Sequence, residues 1–126
     1  MTEQFSQEYI AFIRKAKVLQ TLWVPAAGDW VLLTHRGKQE VNCLGTMDDS
    51  RDWVEWAKEA LEYRHIVWLP TLFQLTRVIE GAGWEWQRTI DGRWLIKTCS
   101  DYYTVSAKGD DLLAAAQLAV RAVEEA

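Results

Sequence analysis

The chain has few of the residues that most often carry chemistry or cross-links. Its 126 residues include two cysteines, two histidines and two prolines. Cys43 and Cys99 lie far apart in segments with strand patterns, so two reduced, half-buried thiols are expected rather than a disulfide. Their spacing from His35 and His65 matches no zinc signature. The sequence therefore predicts no metal site and no cofactor, and it assigns a catalytic role to no residue.

Long apolar runs are also missing. No stretch approaches the roughly 18 to 20 apolar residues of a membrane span. The first residues lack the charged and apolar regions of a secretory leader. Together with thiols that are expected to stay reduced, these absences predict a cytoplasmic protein with no membrane partner.

Positive charge is scarce: the chain has 14 Lys and Arg and 18 Asp and Glu, which gives a formal net charge of −4. No segment concentrates cations, so nucleic acid is an unlikely partner. Apolar residues are plentiful: they make up 49% of the chain and include eight tryptophans. This is enough to build the core of one domain, and no linker or internal repeat divides the chain. Residues 1–126 are therefore predicted to form a single domain.

Residues 84–106 carry the clearest strand pattern. Apolar and polar residues alternate along 84–90, and the run is aromatic and β-branched. Two further runs of this kind, 93–98 and 102–106, follow after short polar turns. The pattern predicts a three-stranded antiparallel meander.

The first turn of this meander decides where its tryptophans lie. A two-residue loop would place Trp86 opposite Lys97. A three-residue loop requires Gly92 in the left-handed conformation. It places Trp84 and Trp86 on the same face as Trp94. The longer loop is favoured, because it makes one tryptophan-rich face that a helix can cover.

Residues 2–23 are predicted to form an amphipathic helix, with apolar positions at alternating spacings of four and three. The seam is about three heptads long, so this helix could pack on its own sheet or on a second copy of the chain. This helix and the tryptophan-rich face of the meander together form the candidate interaction surface. That surface comprises Phe5, Tyr9, Phe12, Leu19, Trp23, Trp84, Trp86 and Trp94.

The remaining pattern predicts a hairpin and three more helices. The hairpin strands are 29–35 and 39–44. The first has apolar residues on both faces, so we expect other elements to pack against both of its faces. Helices are predicted over 53–63, 71–80 and 111–124. The fold class is therefore α+β, with a small antiparallel sheet, made of this hairpin and the meander, layered with amphipathic helices.

The strongest candidate boundary lies near residue 66. It separates residues 1–65, with helix, hairpin and helix, from residues 66–126, with helix, meander and helix. Each unit is short for independent folding, which favours one domain.

The second unit contains the patterns Trp68-Leu-Pro-Thr-Leu, Gly81-Ala-Gly-Trp-Glu-Trp, Trp94-Leu-Ile and Gly109-Asp-Asp-Leu-Leu-Ala-Ala-Ala. These patterns resemble those of small phage and prophage proteins, including the phage ABA-sandwich group. The resemblance covers roughly the last 60 residues and implies a layered α+β fold and a bacterial or phage origin. It implies no reaction and brings no catalytic residues.

Residues 48–52 match the Asp-Asp-x-x-Asp pattern with which isoprenoid synthases hold magnesium and diphosphate. Capping of the following helix is the favoured interpretation, because a cap needs no partner elsewhere. An enzyme or ligand-binding pocket near His35, Cys43 and Asp52 remains an alternative, although Cys43 is expected to be a small core residue.

The favoured function is protein interaction without catalysis, as an accessory protein of a bacterium or prophage. A homodimer through the N-terminal helix or an exposed sheet edge is one form of it. A further alternative is binding of single-stranded nucleic acid on the tryptophan-rich face, beside Arg88. The tryptophans allow this, and the net charge disfavours it.

Overall fold

The computed structural model describes residues 5–35, 37–44, 66–106 and 110–125. The predicted helix 53–63 and the acidic motif 48–52 lie outside these residues. The described part has an α+β fold with four helices and two antiparallel three-stranded sheets. Its elements are α1 (Gln7–Lys15), α2 (Lys17–Gln20), β1 (Trp30–His35), β2 (Lys38–Cys43), β3 (Ile66–Trp68), α3 (Leu72–Gly81), β4 (Glu85–Arg88), β5 (Arg93–Lys97), β6 (Tyr102–Ser106) and α4 (Asp111–Glu124).

The N-terminal helix is shorter than predicted and is broken. Ser6 caps α1 by accepting a hydrogen bond from the backbone N–H of Tyr9 at 3.1 Å. At Ala16 the backbone leaves the helical conformation, with φ −82° and ψ 72°, and α2 begins immediately after it. On one continuous helix, Ile13 and Leu19 would point about 120° apart. Both are fully buried, so the break allows both side chains to reach the core.

The first sheet has the order β2-β1-β3. Its central strand β1 is buried on both faces, as the sequence predicts: Leu32 lies in the main core, and Val31 lies in a second cluster with Trp68. In the register, Val31 pairs with Trp68 of β3. A strand from the second predicted unit therefore completes the sheet of the first.

The second sheet is the predicted meander, in the order β4-β5-β6. Trp86 pairs with Ile96, and Arg88 pairs with Trp94. Gly92 has φ +85° in the connecting loop. The three-residue loop and the shared tryptophan face are thus confirmed.

Helix α3 starts at a capping box, in which Thr71 and Gln74 bind each other's backbone N–H groups. Leu72 falls on the apolar stripe of this helix, yet 37% of it is exposed. It lies in the first turn, beyond the core. Thr76 is buried instead, and its hydroxyl donates to the carbonyl of Phe73, which offsets the cost of burying it.

Helix α4 is confirmed over its predicted range, and Asp110 caps it by accepting from the N–H of Leu113. It packs against the other three helices and against β5 and β6, so it lies between the helices and the second sheet. Small side chains permit this close packing on several sides. The buried alanines are Ala114, Ala115, Ala116, Ala119 and Ala122. No helix in the described ranges is long and apolar enough to cross a membrane.

Candidate interaction surface

Most of the predicted interaction surface is covered by the chain itself. Phe12 is half-buried, and Trp86 is 39% exposed. Burial of one large apolar side chain contributes about 2 to 3 kcal/mol, which favours internal packing over display. The other six residues belong to the chain's own core and are not available to a partner: Phe5, Tyr9, Leu19, Trp23, Trp84 and Trp94.

Tyr9 anchors helix α1 in the core. Its hydroxyl donates to the carbonyl oxygen of Pro70 at 2.5 Å. Burial, and then the charge of Asp110, raise the pKa of Tyr9 well above its ordinary value. The phenol therefore stays neutral and serves as a buried hydrogen-bond donor.

The tryptophan-rich face of the meander is closed by the first turn of α4. Asp111 accepts hydrogen bonds at 2.8 Å from Trp94 Nε1 and from Arg88 Nε. The bonds from Arg88 and then Trp94 lower the pKa of Asp111 below its ordinary value. Trp86 stacks on Trp94 with 5.4 Å between ring centroids and donates to Glu80. Buried Trp94 is therefore not displayed for stacking on bases.

The cysteines differ from their prediction, since Cys43 and Cys99 are both exposed free thiols. Cys43 ends the edge strand β2, opposite half-buried Trp30. Asp52 and the side chain of His35 lie outside the described residues, so the pocket that includes them stays a prediction. In the described ranges, no group of three or more His, Cys, Asp or Glu could hold a metal.

The two sheets also expose edges, and one of these edges is closed by a side chain. Gln20 donates through Nε2 to the carbonyl of Trp68 at 2.9 Å. Its Oε1 accepts from the N–H of the same residue at 2.8 Å. The amide of Gln20 thus satisfies the outward backbone groups of Trp68, the last residue of β3, which would otherwise be open to another strand.

The edge strands β2 and β4 carry charges. Lys38 and Glu40 lie in β2, while Glu85 and Arg88 lie in β4. Charged side chains on an edge strand oppose pairing with a further strand, because pairing would bury or crowd the charges.

Strand β6 differs from these edges. Its sequence, Tyr102-Tyr103-Thr104-Val105-Ser106, contains no charged residue and no proline. Aromatic, β-branched and hydroxyl side chains of this kind favour extended structure. In the described part of the chain, β6 pairs with β5 and with no other strand. It is therefore the described edge with the least protection against an added strand.

The hydrogen-bond pattern identifies which backbone groups of β6 face outward. The ladder with β5 begins where Thr98 N–H donates to the carbonyl of Asp101 at 2.8 Å. Hydrogen-bonded and non-bonded pairs alternate in antiparallel sheets. The backbones of Tyr102, Thr104 and Ser106 therefore point away from β5. We call these outward N–H and C=O groups the β6 edge.

All three residues of the β6 edge are exposed, and no other described residue hydrogen-bonds their outward backbone groups. Between them, Tyr103 is fixed by contacts on the inner face. The guanidinium of Arg121 lies 4.4 Å from the centroid of its ring, and the ring of Trp84 lies 5.6 Å away. Strand β6 is thus anchored through Tyr103 to Trp84 and to α4.

A hollow lies on each side of the β6 edge. On the outer face of the meander, a shallow depression of about 460 Å³ extends past Leu95, Lys97 and Tyr102. On the inner side, a cavity of about 390 Å³ opens between α1, β6 and α4. A strand added to β6 would direct alternate side chains toward these two hollows.

The sequence predicts an exposed sheet edge only in general terms. The absence of charge in residues 102–106 was a usable signal for β6. The closure of β3 by Gln20 had no signal, because the two elements are far apart in sequence. Comparisons with protein-family models, with curated proteins and with solved structures found no match for the chain.

Proposed function

We propose that this chain is a protein-binding domain that takes an extended segment of another protein as an added strand on the β6 edge. Strand addition obtains affinity from main-chain hydrogen bonds and specificity from alternate side chains. The observation that carries the proposal is the neutral, unpaired strand β6 on a chain whose other described edges are charged or closed.

The proposal is non-catalytic and fits an accessory protein of a bacterium or prophage, as the sequence resemblance implies. Two free thiols support a reducing compartment such as the cytoplasm. The partner contributes an unpaired, extended segment, because only such a segment can match the spacing of outward groups along β6.

Replacing Thr104 with proline tests the proposal. The N–H of Thr104 points outward, so Thr104→Pro removes a donor of the β6 edge and leaves the ladder with β5 intact. Peptides selected with the native chain from a random heptapeptide display library serve as probes. We expect the selected peptides to bind Thr104→Pro at least about tenfold more weakly in fluorescence anisotropy.

The matched control is Thr104→Val, which keeps the N–H and the β-branched shape and should bind like the native chain. If Thr104→Pro does not fold by circular dichroism, Tyr102→Pro repeats the test at the first residue of the strand. Failure to enrich any peptide, or equal binding by the proline variant, would contradict strand addition.

Light scattering over a dilution series separates a foreign partner from a second copy. A native chain that stays monomeric is the expected result. A dimer that Thr104→Pro splits would mean that β6 pairs with β6 of another copy, and the proposal of a foreign segment would then be wrong.

A further inference from the structure

The residues that line the cavity on the inner side of β6 indicate which kind of side chain a partner strand would place there. It is bounded on one side by Val105 and Ser106 of β6, so it opens directly beside the β6 edge. In an added strand, every second side chain would point to this side. We call this space the inner cavity. Its described lining is Glu8, Val105, Ser106, Asp110, Leu113, Ala114 and Gln117.

We infer that the added segment, whose binding is the proposed function above, presents a lysine or arginine side chain to the inner cavity. The side walls are apolar, formed by Val105, Leu113 and Ala114, while Glu8 and Asp110 supply two carboxylates. A basic side chain has an apolar stem and a cationic head, which match these two parts. The described lining residues carry two carboxylates and no lysine or arginine, so their charges are complementary to a cation from the partner.

Other side chains fit this cavity less well. An aliphatic side chain would form no ion pair with the two carboxylates and would leave their remaining acceptor capacity unused. An acidic side chain would be repelled by them. The β6 strand of a second copy has no cation to offer, since residues 102–106 are all neutral. The charge pattern therefore favours a foreign, basic segment over self-pairing.

The Asp110 carboxylate is held in place by the ends of two helices. Its Oδ2 accepts from the Ser6 hydroxyl at 2.6 Å, and its Oδ1 accepts from the N–H of Leu113 at 3.0 Å. Ser6 in turn caps α1 through the N–H of Tyr9. A carboxylate has further lone pairs beyond these two bonds, so it can also accept from a bound cation. The acidic rim is thus preformed rather than assembled on binding.

Three synthetic peptides test the inference. The first is acetyl-Thr-Val-Thr-Lys-Thr-Val-Thr-amide, and the other two carry Met or Glu in place of Lys. Met keeps the length of the stem without the charge. We expect the Lys peptide to bind the native chain at least about tenfold more tightly than the Met peptide, with the Glu peptide weakest. The preference for Lys should shrink as salt is added.

The variant Glu8→Gln with Asp110→Asn removes both charges. Gln keeps the size of Glu8, and Asn is a good helix cap, so α4 keeps its first turn. We expect this variant to bind the Lys peptide no more tightly than the Met peptide, with Met binding unchanged. Unfolding by urea checks that the double variant is folded, and the single variant Glu8→Gln gives the same comparison with the cap intact.

The outcomes separate the inference from the proposed function. If the peptides bind in a manner sensitive to Thr104→Pro, but Lys and Met bind equally, the inner cavity does not select a cation and the inference is wrong. The same holds if the Lys preference survives removal of both charges. If no peptide binds, or if binding ignores Thr104→Pro, strand addition itself is wrong.

Discussion

Replacing Trp94 with alanine is expected to lower the free energy of unfolding by about 3 to 5 kcal/mol. Trp94 is 1% exposed and packs in the main core between the meander and α4. The change removes a large apolar surface, leaves a cavity, and deprives Asp111 of the donor at Trp94 Nε1. Equilibrium unfolding in urea measures the loss.

The neighbouring tryptophan is the matched control. Trp86 stacks on Trp94 but is 39% exposed, so Trp86→Ala removes less buried surface and opens no closed cavity. We expect it to cost less than about 2 kcal/mol. Equal losses for the two variants would show that the covered tryptophan face does not contribute to stability as the packing indicates.

Replacing Asp29 with alanine should cost about 3 kcal/mol, because it removes the acceptor of three hydrogen bonds at once. Asp29 is 6% exposed and has no described cation beside it. Its carboxylate accepts from Trp23 Nε1 at 2.8 Å, from Ala26 N–H at 3.0 Å and from Gln74 Nε2 at 2.8 Å. The variant leaves these donors without their acceptor in and around the core.

Two further aspartate variants serve as controls for Asp29→Ala. Asp29→Asn keeps one acceptor oxygen and should be less destabilising than Asp29→Ala. Asp101→Ala alters an exposed aspartate in a turn and should change stability by less than about 0.5 kcal/mol. Thermal and urea unfolding of all three serve as the measurement. An Asp29→Ala variant as stable as Asp101→Ala would contradict the role of this carboxylate.

The features that the sequence predicts correctly are local ones. The range of α4 follows from the apolar stripe along residues 111–124. The loop before β5 follows from one glycine and the alternation on either side of it. Both depend on residues close in sequence, where periodicity and backbone preference decide the conformation.

The features that it does not predict depend on distant contacts. Gln74 reaches Asp29 across 45 positions, and Gln20 closes the edge at Trp68 across 48 positions. The break at Ala16 allows both Ile13 and Leu19 to be buried in the core. The spacing of the apolar residues alone predicts one continuous helix. Cys43 was expected in the core, but it is exposed on β2, which the strand order places at the edge of the sheet.

The same division applies to the candidate surface. The sequence shows which segments are apolar, and burial then removes most of these residues from any interface. What remains is the backbone of β6, and the only sequence signal for it is the absence of charge in residues 102–106. Its position as an unpaired edge is a consequence of strand order, and strand order comes from tertiary packing.

Amide hydrogen exchange, followed by NMR on the native chain, tests the proposed strand addition most directly. Without a peptide, the amides of Tyr102, Thr104 and Ser106 should exchange fast, while those of Tyr103 and Val105 are protected by the ladder with β5. At a saturating concentration of the Lys peptide, the three outward amides should slow at least about tenfold as they pair with the added strand. Unchanged exchange at these three positions in the presence of bound peptide would contradict strand addition on β6.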